Sequence, residues 1–199
     1  MRHRWELSVL LFALVFAISG CTGDLGPQWL ALRADRASIV FNAPGLAGTT
    51  GRFLSGPAAD HSYTLEVGTW TSAALPFPKA QIFLHRLEPG YRYTDRFDLE
   101  AFVEGRDFFR RDTLVFQPME LSRNGIGDIE IRRFSADSVA CVAFGQDFGD
   151  TVWDPASIGA RNTERLLGYY CANGSAELSK ATVERVINGI GVRSKEAPG

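Results

Sequence analysis

Two histidines and a group of aspartates are the side chains with the clearest potential for chemistry in this sequence. His61 and His85 could act as a general base or as metal ligands, but their spacing matches no established ligand motif. Asp147, Asp150 and Asp154 offer carboxylate oxygens to a cation, yet their segment lacks the alternating pattern of a calcium-binding hand, which favours turn and cap roles. No Gly-x-Ser-x-Gly elbow or glycine-rich phosphate loop occurs. The sequence therefore predicts no catalytic residue, no metal ligand and no cofactor.

An apolar run near the start of the chain has the features of an export signal. Residues 7–18 are uncharged and apolar, and they follow a short head that contains Arg2 and Arg4. Small residues then lead to Cys21. A positive head, a short apolar centre and small residues before a cleavage point are typical of a signal peptide. The run is shorter than the about 20 residues that a membrane-spanning helix needs.

The segment Ile18-Ser19-Gly20-Cys21 resembles the lipobox of bacterial lipoproteins. The resemblance implies that Cys21 receives a diacylglyceryl group, that residues 1–20 are removed, and that the new amino group is acylated, for example with palmitate. The lipid on Cys21 would then hold the chain in the membrane. In the family, Asp after the cysteine favours the inner membrane, so Thr22 favours the outer membrane, facing the periplasm. An ordinary secretory signal with a coincidental cysteine is the alternative.

The other two cysteines are expected to pair. With Cys21 assigned to the lipid, Cys141 and Cys171 are the remaining pair among three cysteines, and an exported chain meets oxidising conditions. A reactive thiol is the competing interpretation, but neither residue has a Cys-x-x-Cys partner or a basic neighbour that would lower its pKa. We therefore expect one disulfide.

Composition and charge indicate that the exported part of the chain folds as one domain. The formal charge is −2, and loss of residues 1–20 removes two arginines and one glutamate, which leaves −3. A net charge this close to neutral does not indicate the basic surface that nucleic-acid-binding proteins have. We expect residues 21–36 to be the lipidated cysteine and a tether, 37–193 a single domain, and 194–199 a disordered tail.

The hydrophobic pattern predicts an α+β fold, with a mostly antiparallel sheet and about two packed helices. Strands are predicted at 37–41, 62–69, 80–87 and 113–116, and a hairpin at 127–134 and 138–144. Polar and apolar side chains alternate in 62–69, which predicts that the polar face of this strand, with Glu66, is in contact with water. Residues 42–60 are predicted to be a long loop because glycine and proline are frequent there. Helices are predicted over 97–109 and from the cap at Ser179 to Gly191, with an apolar stripe docked near the disulfide. Residues 165–192 resemble the ending of small bacterial exported lipoproteins of uncharacterised activity.

Two classes of function are compatible with these features. The first is a non-catalytic envelope module that binds a protein partner or a wall component, with a contact surface formed by Trp70, Phe77, Tyr91 and Tyr93. The alternative is a periplasmic hydrolase that uses a histidine with a nearby carboxylate. A histidine within hydrogen-bond reach of Asp or Glu in an enclosed pocket would favour the hydrolase.

Overall fold

The computed structural model describes residues 29–46, 49, 51–58, 61–89, 91, 93, 95–149, 152–153, 160–161, 163–172 and 177–193. In these ranges the fold is mostly β, so the expected α+β class holds only in rough outline. Two α-helices and one short 3-10 helix (Arg111–Thr113) accompany the strands. The elements are β1 (Leu30–Leu32), β2 (Ile39–Phe41), β3 (Gly51–Pro57), β4 (Tyr63–Trp70), β5 (Ala80–Leu87), α1 (Leu99–Glu104), β6 (Val115–Arg123), β7 (Asp128–Ala136), β8 (Val139–Phe148), β9 (Val152–Trp153), β10 (Ala160–Arg161), β11 (Glu164–Cys171), α2 (Lys180–Asn188) and β12 (Ile190–Val192).

The main sheet has eight strands in the order β1-β3-β4-β5-β11-β8-β7-β6, all antiparallel. It contains two meanders, β3-β4-β5 and β6-β7-β8, and β11 pairs with β5 on one side and with β8 on the other. Two smaller antiparallel pairs, β2 with β12 and β9 with β10, complete the described strands. The late strand β11 therefore joins the two meanders into one sheet.

The two faces of the main sheet carry separate hydrophobic clusters, because side chains alternate along each strand. On the first, which we call the α2 face, Ile82, Phe144 and Leu166 pack with the helix residues Val183 and Val186. On the second, the α1 face, the residues that pack with α1 include aromatic rings and both cysteines. This second cluster is formed by Phe77, Leu99, Val103, Phe109, Phe134, Ala136, Cys141, Ala143, Tyr169 and Cys171.

The predicted hairpin is confirmed as β7 and β8, both longer than expected. Its turn is tighter than the polar segment suggested, with Asp137 and Ser138 between the strands. Both have positive φ, 47° and 65°. Two successive left-handed residues are the signature of a type I′ turn, whose twist matches that of the flanking strands. The strands predicted at 62–69 and 80–87 are confirmed as β4 and β5.

Both helices are shorter than predicted. The Asp98 carboxylate accepts hydrogen bonds from the backbone N–H groups of Glu100 and Ala101 and so begins α1, which ends at Gly105 after six residues. Ser179 caps α2 as predicted, but the helix ends at Gly189, and Ile190 to Val192 continue as β12. The apolar stripe of α2 lies on the α2 face, so the expectation that it docks near the disulfide was wrong.

Three further differences concern the N-terminal half and the strand before the hairpin. β3 lies inside the predicted loop at 42–60, and β1 lies inside the predicted tether at 21–36, paired with β3. The short strand predicted at 113–116 is the nine-residue β6, with a register shift between Phe116 and Met119. Cys21, Asp150, Asp154 and the ends of the chain at 1–28 and 194–199 lie outside the described residues.

Candidate functional site

A buried arginine organises the polar part of the α1 face. Arg165 of β11 is 6% exposed, and its Nε and Nη2 atoms donate to the two carboxylate oxygens of Asp147 at 2.8 and 3.1 Å. Its Nη2 also donates to the backbone carbonyl of Asp95 at 2.8 Å. The guanidinium lies 3.9 Å from the ring centre of Tyr93 and 5.5 Å from that of Phe97. Burial disfavours the charge, but the hydrogen bond and negative charge of Asp147 outweigh it and raise the pKa of Arg165.

This arrangement joins the sheet to the segment before α1. Asp147 and Arg165 are direct cross-strand partners on β8 and β11. Asp95 and Phe97 come from the connection between β5 and α1, so the guanidinium holds that connection against the sheet. A planar guanidinium suits this role because its donors form a fixed fork and its faces stack on aromatic rings. The structure therefore assigns a positioning role to Arg165.

His85 lies in the same transverse row of the sheet, since it pairs with Arg165 on one side and with Leu65 on the other. Its ring centre is 5.2 Å from that of Tyr63. Burial first of all, and then the positive charges of Arg165 and Arg106, lower the pKa of His85 from 6.5 to about 4, against the opposing effect of Asp147. His85 is therefore a neutral imidazole at neutral pH and a weak proton acceptor.

Among the residues that the structure describes, neither His61 nor His85 forms the histidine–carboxylate pair that a hydrolase of the expected kind requires. In the described ranges, no hydrogen bond or ion pair joins His61 or His85 to a carboxylate; the carboxylate of Asp147 is bound by Arg165 instead. His61 is exposed and precedes β4 with a φ of 55°. Within the same ranges, no group of three or more His, Cys, Asp or Glu residues is placed to hold a metal ion.

The four aromatic residues of the predicted contact surface are not brought together at the surface. Trp70 is 6% exposed and belongs to the cluster on the α2 face, whereas Phe77 is 4% exposed and belongs to the cluster on the α1 face. Tyr91 is half exposed, and Tyr93 lies against Arg165. Burial therefore excludes Trp70 and Phe77 from a contact surface, and their role is to fill the core.

The predicted disulfide is confirmed. Cys141 of β8 and Cys171 of β11 are bonded, directly opposite each other in the sheet, with their Cα atoms 4.1 Å apart. Both are buried among the aromatic rings of the α1 face. Of the three cysteines in the chain, Cys21 is the one that takes no part in this bond.

Sequence reasoning missed Arg165 as a positioning residue. The available signal was weak: an arginine that alternates with Leu167, Tyr169 and Cys171 along one face of a buried strand. A charge in such a register needs a partner across the sheet, because an unpaired buried ion is costly. The turn or cap role expected for Asp147 was wrong, because Asp147 lies within β8 and its partner Arg165 lies 18 residues further along the chain.

No family model, no curated protein and no solved structure matches this chain. Neither helix in the described part of the chain has the length and the apolar composition needed to cross a membrane.

Proposed function

We propose that this protein is a lipid-anchored lipoprotein of the bacterial cell envelope, attached through Cys21 and facing the periplasm from the outer membrane. In this proposal its mostly-β domain is a non-catalytic module that binds an envelope protein or a wall component. The observation that carries the proposal is the disulfide between Cys141 and Cys171. It suits an oxidising compartment outside the cytoplasm, and it leaves Cys21, which ends the lipobox-like segment, available for the lipid.

The polar cluster of the α1 face supports the non-catalytic part of the proposal. The donors of Arg165 are directed at Asp147 and Asp95, and two aromatic rings stack on its guanidinium. These contacts hold the connection to α1 in place. A neutral His85 beside two arginines is unsuited to take a proton at neutral pH. The cluster thus has the properties of a structural clamp.

The lipid is tested by mass spectrometry of the protein purified from bacterial membranes. We expect the mature chain to begin at Cys21 and to carry a diacylglyceryl group and an amide-linked fatty acid. The variant Cys21→Ser should lack both, whereas the matched double variant Cys141→Ser/Cys171→Ser should keep them. An unmodified thiol at residue 21 in the wild type, or release of the protein from membranes by salt alone, would contradict the proposal.

The membrane of residence and the partner need separate measurements. We expect the wild type in the outer-membrane fraction and Thr22→Asp in the inner-membrane fraction; identical fractionation of both would contradict the assignment based on Thr22. For the partner, cross-linking in intact cells and co-sedimentation with purified cell wall should retain the wild type. Recovery of the protein free of both, at natural expression levels, would refute the binding module.

A further inference from the structure

An apolar groove is open to solvent on the α1 face, beside the edge of the main sheet that is formed by β1 and β3. Trp29 and Leu54 are 44% and 42% exposed, which is high for such large apolar side chains. The groove has a volume of about 440 Å³. The apolar side chains that line it are those of Trp29, Leu54, Leu65, Val67, Phe83 and Phe108.

The groove exists because α1 covers only the centre of the face. The helix is six residues long, and its Phe102 packs edge-to-face on Phe83 with ring centres 5.5 Å apart. The strands β3 and β4 extend beyond this contact without a helix above them in the described part of the chain. Leu54 and Val67 are cross-strand partners there, so the exposed side chain of Leu54 packs beside Val67, which is buried at 8% exposure.

The position of the groove relative to the proposed anchor indicates what covers it. Trp29 lies eight residues after Cys21, and eight residues of fully extended chain span at most about 29 Å. The groove would thus be held permanently close to the bilayer that contains the lipid. Tryptophan is enriched where proteins meet the membrane interface, and the exposed Arg52, on the same face of β3 as Leu54, suits lipid phosphates.

We propose that the groove rests on the surface of the bilayer that holds the Cys21 lipid, with Trp29 and Leu54 in its interfacial region. This inference depends on the proposed lipid anchor and adds a fixed orientation of the domain. The sheet edge at β1 and β3 then faces the membrane, and β6 faces away from it. The domain would present its other end to the periplasm.

The opposite edge of the same face provides a matched control. Leu121 of β6 is 76% exposed. It lies in the same transverse row as Leu54, connected through Val67, Phe83, Leu167, Gly145 and Glu130. Six strand spacings separate the two leucines, about 29 Å along the sheet. Both leucines are therefore exposed on one face, and the proposal places only Leu54 against the bilayer.

The test uses the full-length protein, produced with its signal and purified from membranes in lipidated form. It is reconstituted into vesicles of phosphatidylcholine with brominated acyl chains, which quench nearby tryptophans, and into unbrominated vesicles for reference. Two reporter variants, Leu54→Trp and Leu121→Trp, are each placed in a Trp29→Phe background. The Trp29→Phe parent gives the signal of the remaining tryptophans, and circular dichroism with disulfide mapping establishes folding.

We expect loss of emission in brominated vesicles for Leu54→Trp and none for Leu121→Trp, each relative to the parent. The wild type tests the groove without a substitution there. The emission of Trp29, which is the difference between the wild type and the Trp29→Phe parent, should be lost in brominated vesicles. Equal quenching of both reporters, or no quenching of Leu54→Trp in protein whose mass shows the lipid, would overturn the inference and leave the anchor intact. A mass without lipid at Cys21 would instead overturn the anchor, and the inference with it.

Discussion

Removal of the Asp147 carboxylate should destabilise the fold far more than removal of both charges of its pair. In Asp147→Ala, the guanidinium of Arg165 would stay buried at 6% exposure and keep only its contacts with Asp95 and the aromatic rings. In the double variant Asp147→Leu/Arg165→Met, no buried charge is left unpaired, because the Asp95 carboxylate that also loses Arg165 is 74% exposed to water. The methionine keeps a flexible side chain with sulfur next to the rings of Tyr93 and Phe97.

The magnitude follows from burial. Breaking a fully buried ion pair by removing one partner costs about 3–5 kcal/mol. The Asp147 side chain is 26% exposed, so some of the lost solvation can be recovered by water and we expect the lower end, about 3 kcal/mol. Asp147→Asn keeps one acceptor oxygen and the shape of the side chain, which gives an expected loss of about 1.5–3 kcal/mol. The double variant should lie within about 1 kcal/mol of the wild type.

Urea denaturation of the purified protein at neutral pH, followed by the fluorescence of tryptophans that include the buried Trp70, measures these free energies of unfolding. A second readout is trypsin cleavage after Arg96, whose side chain is 93% exposed and whose neighbours are held by Arg165. Cleavage there should accelerate in Arg165→Ala before global unfolding. If Asp147→Ala lost no more stability than the double variant, the assignment of Asp147 as the partner that makes the buried charge tolerable would be refuted.

Two further predictions concern the disulfide and His85. Reduction of the Cys141–Cys171 bond, which closes a sequence separation of 30 residues, should lower the free energy of unfolding by about 4 kcal/mol; an unchanged urea midpoint in protein that thiol titration shows to be fully reduced would contradict this. The folded pKa of His85 is about 4 against an ordinary 6.5, so the unfolded chain binds more protons than the folded protein between these values. The contribution of the neutral His85 to the free energy of unfolding should therefore be fully present above pH 6.5. It should fall by up to about 3 kcal/mol as the pH drops towards 4. The His85→Gln variant should show a shallower pH dependence of the urea midpoint over that window, and parallel curves for variant and wild type would count against the burial of a neutral imidazole.

The elements that could be predicted from the sequence are those specified by local signals. The alternation of β4, the apolar run of β5 and the polar turn of the β7–β8 hairpin are such signals, and these strands appear where expected. The cap at Ser179 is equally local, because its hydroxyl accepts from the N–H of Thr182 within the first turn. The disulfide was predictable because the chain has three cysteines, and the proposed lipid anchor at Cys21 leaves Cys141 and Cys171 as the remaining pair.

The strand β3 and the burial of Glu66 depend on tertiary contacts, which local sequence signals do not reveal. β3 contains two glycines and a proline, which predict a loop, but Phe53 packs edge-to-face on Trp70 with ring centres 5.6 Å apart, which fixes the strand against β4. Alternation in β4 identified its two faces but not their environments. The polar face with Glu66 predicts a wet surface, yet Glu66 is 5% exposed and accepts a 2.8 Å hydrogen bond from the N–H of Ile39. One such contact across 27 residues turns a polar position into a core position.

A disulfide and a bidentate ion pair both attach β11, the strand that joins the two meanders, to its neighbour β8. β11 is the last strand of the main sheet in the sequence and has to pair with both meanders, so its contacts are among the most distant along the chain. Such contacts form only after the entropy of closing long loops has been overcome. The Cys141–Cys171 bond and the Asp147–Arg165 ion pair both join β11 to β8, on the same face and six residues apart, about 20 Å along the strands. One link is covalent and the other is a bidentate salt bridge, so together they fix the register of the strand that joins the two halves of the domain.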